Sequence, residues 1–220
     1  MTPFPTWTIL LAGDLVPTPR LRGQLENSRF IAADAGMRHA AVLEVTPEVW
    51  IGDFDSAPGR VAHDVPEETA QHVHPRDKDL TDGALAVAHA LDAGARRIIL
   101  AGAFGGRTDH VLAHMAQLLE LAGRDVDVLA TSGLEEAWPL LPGRPMTIDL
   151  PPGSTFSLFG FGPLGGVGID GARWPLEGAD VPFASTRTLS NVAEGPIRVE
   201  ITSGAGLVLA RPAIPEEMKE

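Results

Sequence analysis

The stretch "LAGAFGGRTDHVLAHM", residues 100–115, decides the reading of the fold. It opens on the end of an apolar, β-forming run, "RRIILAGA", and then turns on Gly102, Gly105 and Gly106. From residue 108 to 122 apolar side chains recur at helical spacing: Val111, Leu112, Met115, Leu118 and Leu119. Strand, glycine-rich turn and helix form the unit from which parallel sheets are wound. The same apolar run recurs as "TWTILLAG", "RFIAAD", "EVWIGD", "QHVHP" and "DVDVLATSG", with helical stretches between. A second helix is expected over 79–92, with Leu80, Ala84, Leu85, Ala88 and Leu91 on one face. Gly94 and Gly123 are expected to close the two helices. The N-terminal part therefore reads as a doubly wound, mostly parallel α/β sheet with flanking helices and right-handed connections.

From about residue 140 proline and glycine punctuate short β-like runs, "PMTIDL", "STFSLFGFG", "TRTLSN", "PIRVEITS" and "GLVLARP", without an amphipathic helix. This texture predicts a C-terminal antiparallel β-sandwich. A boundary inside "GLEEAWPLLPGRP", residues 133–145, divides the chain into 1–138 and 139–220.

Composition removes several function classes. The net charge of −12, with 17 basic residues and no basic run, argues against a nucleic-acid partner. No apolar run reaches a membrane-spanning length of about 18 residues, and no leader is expected in "MTPFPTWTILLAGD", so a soluble cytoplasmic protein is expected. The absence of cysteine excludes disulfides, thiolate metal sites and a cysteine nucleophile. Arginine is the default cation, and Lys78 is the one lysine outside the C-terminal tail.

Ligands of an open parallel sheet collect at the carboxyl ends of its strands. Four polar clusters follow apolar runs: "ADAG" at 33–36, "GDFDS" at 52–56, "RDKDLTD" at 76–82 and "GGRTDH" at 105–110. Parallel strands bring all four to one edge. Asp53 and Asp55, two apart at a strand end, face one way and can reach one hard cation, and Mg²⁺ commonly takes one or two carboxylates plus phosphate oxygens. An Asp-rich turn explains the same pair without metal. Asp79 or Asp82 can cap the following helix, which leaves the rest of the cluster for another task, with Lys78 suited to meeting a phosphate as a point charge. In the glycine-rich turn, backbone N–H groups and a helix N-terminus can approach an anion, and Arg107 can grip a phosphate oxygen. The Walker pattern is absent. His72 with His74, and His110 with His114, have zinc-like spacings but no third ligand. No G-x-S-x-G elbow supports a serine hydrolase.

In order and spacing, "ADAG", "GDFDS", "KDLTD" and "GGRTDH" resemble the signature set of thiamine pyrophosphokinases. "GARWPL" at 171–176 and "TLSNVAEGPIRVEITSGAGLVLA" at 188–210 are similar to that family's thiamine-binding half, so the resemblance spans roughly residues 30–210. It implies a homodimer with active sites between subunits that transfers pyrophosphate from ATP to the hydroxyl of thiamine, giving thiamine diphosphate and AMP. It also implies Mg²⁺ carboxylates at Asp53, Asp55 and Asp82, with Arg107 joining them in catalysis. The ATP site would take Asp34, Lys78, Asp79, Gly105, Gly106, Arg107 and Asp109. Trp174, Ser190 and Asn191 would meet thiamine, whose cationic thiazolium ring suits an aromatic face.

One departure stands out: the family's "ADGG" reads "ADAG" here, putting Ala35 where a positive φ is expected. Two rival classes fit parts of the pattern. A DxD motif also serves sugar-nucleotide transferases and aspartyl phosphohydrolases, although the latter favour Thr or Val where this chain has Ala57. A non-catalytic thiamine or nucleotide binder is the other rival, weakened by the intact Asp53, Asp55, Asp82 and Arg107.

Overall fold

The computed structural model describes residues 5–52, 68–73 and 80–214. The chain forms two compact units, Met1–His114 with Gly123–Gly133, and Met115–Ala122 with Leu134–Glu220. Asp53, Asp55, Lys78 and Asp79 lie outside the described residues.

The first unit is built on six strands: β1 (Thr6–Leu10), β2 (Ser28–Ala33), β3 (Val49–Gly52), β4 (Ala70–Val73), β5 (Arg97–Ala101) and β6 (Asp127–Thr131). Every pairing among them is parallel, in the order β4-β3-β2-β1-β5-β6. Ile9, Ile31, Ile98, Ile99 and Leu100 are fully buried in this sheet. Strands covered on both faces must be apolar on both, which is why they read as unbroken hydrophobic runs. Each such side chain contributes about 1.5–3 kcal/mol by leaving water. The chain winds outward from β1 to β4 and then returns to the other side of β1 as β5. Loops leaving β1 and β5 therefore diverge, and the crevice between them is the topological switch point of the sheet.

Helix α1 (Pro19–Gln24) starts with Pro19 behind Thr18, whose hydroxyl accepts from the Leu21 N–H at 3.1 Å. Helix α2 covers Arg38–Leu43, α3 Asp82–Asp92 and α4 Thr108–Gly123. The buried face of α3 is Ala86, Val87 and Ala90, not the expected leucine stripe. Leu80 precedes the helix and is exposed, and Ala88 is exposed too. The small side chains let α3 lie close against β1, β2 and β3. On α4 the expected Met115 and Leu118 are buried, joined by Leu121 and Ala122, whereas Leu112 is exposed. Gly94 follows α3 in the left-handed region at φ 83°. Gly123 instead ends α4 as a helical residue, and Asp125, at φ 60°, takes the left-handed position.

The second unit contains β7 (Glu136–Leu140), β8 (Met146–Ile148), β9 (Thr155–Gly160), β10 (Leu164–Ala172), β11 (Leu176–Val181), β12 (Asn191–Glu200) and β13 (Gly206–Arg211). Its pairings are antiparallel: β13 lies between β7 and β9, and β10 between β11 and β12. β12 serves two sheets, pairing β9 through Asn191 and Val192 and pairing β8 and β10 further on. Its inward positions alternate as Asn191, Ala193, Ile197 and Val199, facing a core with Phe156, Leu158, Val167 and Ile169. Three features differ from the sequence reading. β7 occupies part of the boundary stretch 133–145; β10 and β11 were not anticipated; and "TRTLSN" is a turn that leads into β12. β10 carries four glycines and breaks its register twice against β11, so no clean alternation marks it. No helix among the described residues is long and apolar enough to cross a membrane.

Candidate active site

At the carboxyl edge of the first sheet, β1 runs into Leu11–Asp14, β2 into Asp34, and β5 into the glycine-rich loop 102–107. β3 ends at Gly52, directly before Asp53. Asp34 sits beside that end, since a Cβ on Gly52 would stand 3.4 Å from the Asp34 Cα. The Asp34 carbonyl accepts from Trp50 Nε1 at 2.9 Å, tying β2 to β3. Asp34 itself takes the left-handed conformation at φ 47°, a region that aspartate enters more readily than most residues. Ala35 is not among the residues with positive φ, so the absent family glycine costs the local backbone nothing of the kind expected. Asp34 opens a short 3₁₀ turn that leads directly into α2.

Thr81 caps α3, its hydroxyl accepting from the Ala84 N–H at 3.2 Å. The cap is therefore a threonine rather than one of the aspartates, and Asp82 is the first helical residue, where the macrodipole favours negative charge.

Gly105 and Gly106 stand at φ 76° and 64° in succession, a path that residues with a Cβ rarely follow. A Cβ on Gly105 would come 2.1 Å from the Asp14 carboxylate, while nothing lies within 4 Å of the corresponding point on Gly106. The loop is thus packed against Asp14 on one side and open on the other, as an approaching anion requires. Arg107 forks onto Asp109, with Nε donating to Oδ1 at 3.1 Å and Nη2 to Oδ2 at 2.6 Å. Both side chains are mostly exposed, at 72% and 64%. The hydrogen bond from Arg107 holds the Asp109 carboxyl below its ordinary range and raises the guanidinium in turn. An incoming phosphate would compete with Asp109 for the same fork.

Of the two histidine pairs suggested by spacing, His110 and His114 stand together, and His74 lies outside the described residues. His72 faces His89, ring centroids 5.4 Å apart, and His110 faces His114 at 6.3 Å. No group of three ligating side chains occurs among the described residues. Asp14 and His39 escaped the sequence reading. The signal for Asp14 was present, because "LAGD" follows an apolar run just as "AAD" does; His39 carries no such signal.

In the second unit, Trp174 lies in the turn between β10 and β11 with 55% of its surface exposed. Asn191, only 5% exposed, holds that turn from both sides. Its Oδ1 accepts from the Trp174 N–H at 3.2 Å and its Nδ2 donates to the Trp174 carbonyl at 2.8 Å. The same Oδ1 accepts from the Val192 N–H at 2.8 Å. Next to it Ser190 is exposed at φ 58°, and its N–H donates to the Ser157 hydroxyl at 3.0 Å. The structure therefore brings Trp174 and Asn191 together beside Ser190, with the amide of Asn191 spent on the main chain.

Two family models match the sequence in order: the thiamin pyrophosphokinase catalytic domain over residues 24–130, and the thiamin pyrophosphokinase vitamin B1 binding domain over 146–208. No protein of curated function matches it. Among solved structures, the chain is similar to thiamine pyrophosphokinase from Bacillus subtilis, with a TM-score of 0.81 at 22% identity, covering 95% of this chain and 100% of that one. A thiamin pyrophosphokinase family protein from Enterococcus faecalis gives 0.78 at 22%, covering 96% and 100%. Thiamin pyrophosphokinase from Candida albicans gives 0.75 at 13%, covering 96% and 90%. At these identities the structural likeness establishes the fold.

Proposed function

Because the chain belongs to the thiamin pyrophosphokinase family, and is thus an enzyme that makes thiamine diphosphate, we propose that the pyrophosphate comes from ATP by in-line attack. The thiamine hydroxyl oxygen bonds to the β-phosphorus as the bond from that phosphorus to the oxygen bridging it to the α-phosphorus breaks. AMP leaves with the bridging oxygen, and the hydroxyl proton passes to one of the site aspartates. The observation that carries this reading is the gathering of Asp34, Asp82 and the glycine-rich loop at the carboxyl ends of the parallel strands.

This donor set is made of carboxylate oxygens and fits a hard divalent cation rather than a soft one. Mg²⁺ would be held by Asp53, Asp55 and Asp82, and when bound it would neutralise the charge of the transferring phosphates. The chain's own contribution is positioning and charge. Gly105 and Gly106 let the triphosphate approach the main chain, Arg107 leaves Asp109 to grip a phosphate oxygen, and Lys78 adds a point charge. Asp34 and Asp79 border the nucleotide. Trp174 offers its exposed ring to the thiazolium cation, and Ser190 presents a hydroxyl beside it. Asn191 serves thiamine by fixing the Trp174 turn. The enzyme works in the cytoplasm as a homodimer with active sites between subunits.

Incubation with ATP, thiamine and Mg²⁺, followed by anion-exchange separation, tests the reading. AMP and thiamine diphosphate should appear one for one and only when thiamine is present. ADP as the product, or no product, would refute it.

A further inference from the structure

We propose that His39 and Arg38, at the start of α2, are positioning residues for the nucleotide: they clamp the Gly13 carbonyl and, through it, the glycine-rich loop that carries Arg107. The inference rests on the reading that this loop receives ATP.

His39 is 6% exposed, and its Nε2 faces the Gly13 carbonyl at 2.9 Å. A carbonyl can only accept, so Nε2 carries the proton and donates. Arg38 Nη2 donates to the same carbonyl at 2.9 Å and also to that of Ala12. One main-chain oxygen thus receives two side-chain donors from adjacent residues, using both of its lone pairs.

The peptide held in this way is the crossing point of the switch crevice. The Gly13 N–H donates to the Gly102 carbonyl at 2.9 Å and the Asp14 N–H to the Phe104 carbonyl at 2.6 Å. The His39 ring also abuts the glycine-rich loop directly, because a Cβ on Gly102 would stand 3.4 Å from Nε2. Arg107 lies three residues beyond Phe104. Arg38 and His39 in turn follow immediately on the turn that begins with Asp34. Two side chains therefore tie together the ends of β1, β2 and β5, and loss of their donors frees the loop that approaches the phosphates without touching the reacting atoms.

The test compares His39→Leu, which keeps bulk and removes the donor, with His39→Gln, whose amide N–H reaches a similar point. Losing one such hydrogen bond to a buried group is expected to raise the KM for ATP about tenfold. The KM for thiamine should stay at the wild-type value, and His39→Gln should recover most of the loss. Arg38 is exposed, so Arg38→Met against Arg38→Lys repeats the comparison at a position where folding is not at stake. An unchanged KM for ATP in His39→Leu and Arg38→Met would overturn the clamp. So would a fall in kcat alone with both KM values intact, which is what a smaller folded fraction gives. Wild-type protein that forms no thiamine-dependent AMP would remove the underlying reading, and the clamp with it.

Discussion

Replacing Asn191 by alanine separates the fixing of Trp174 from direct contact with thiamine. The Asn191 side chain makes two hydrogen bonds to the main chain of Trp174, 17 residues away, and one to the N–H of the next residue. A hydrogen bond of this kind contributes about 0.5–1.5 kcal/mol net, and a buried group left without its partner costs about 1–3 kcal/mol. The two long-range bonds together put the loss at about 2 kcal/mol, with the local bond partly replaced by water. For a chain of this size that lowers the unfolding temperature by about 4–8 °C. The turn would then hold Trp174 in many orientations, so the KM for thiamine should rise while the KM for ATP stays put. Asn191→Asp keeps the acceptor, loses the donor to the Trp174 carbonyl and buries a charge, and should be at least as destabilised. Calorimetric scans with steady-state kinetics in each substrate supply the readout. A wild-type unfolding temperature combined with a raised thiamine KM would refute the reasoning, because it would mean that Asn191 meets thiamine directly and holds nothing.

Asp55→Ala is expected to abolish thiamine-dependent AMP formation and leave the thermal unfolding curve in place; retained turnover would dismiss the metal assignment. Gly106→Ala has open space for its Cβ but forces a left-handed alanine, costing about 1–2 kcal/mol of backbone strain. Its ATP binding, read by titration calorimetry, should weaken, and unchanged affinity would show that the phosphates pass elsewhere. Burial lowers the pKa of His39, against which the Gly13 hydrogen bond works, and burial does the same at His114 and His89. The unfolded chain, with histidines near about 6.5, therefore takes up protons first, so stability is full above that pH and falls as the pH drops toward the lowered folded values. Urea midpoints at successive pH values should decline over that window, and less steeply in His39→Gln; a flat profile contradicts the burial argument.

The parallel strands were legible because a strand buried on both faces must be apolar at every position, as in "RFIAA" and "RIILA". The face of α3 was not. Periodicity weights large side chains, whereas the helix buries Ala86, Val87 and Ala90 and leaves its leucines nearer the surface. β10 was lost for the opposite reason, since its bulges and glycines erase the two-residue alternation that identifies a strand. "TRTLSN" has the β-branched composition of a strand but serves as a turn that hands Asn191 to the start of β12.

Legibility of the site follows the same division. Asp34, Asp82 and Arg107 are recognisable because each follows an apolar run, and parallel topology converts that sequence position into a place on one edge. Asn191 and His39 act on main-chain atoms, and a carbonyl 17 or 26 residues upstream leaves no mark in the identity of its own residue. Such residues are nonetheless required by the topology. At the switch point the connections after β1 and β5 lead to opposite sides of the sheet order, so their first residues need bonds of their own to stay together. Here they are joined by main-chain bonds from Gly13 to Gly102 and from Asp14 to Phe104, and the pair is anchored to α2 through the Gly13 carbonyl. A crevice floor fixed in this way holds the open side of the glycine-rich loop in place, as the proposed phosphate site requires. The residues assigned to the proposed site are therefore of two kinds: those whose charge would meet the ligand, which a sequence displays, and those whose donors meet the backbone, which only the fold reveals.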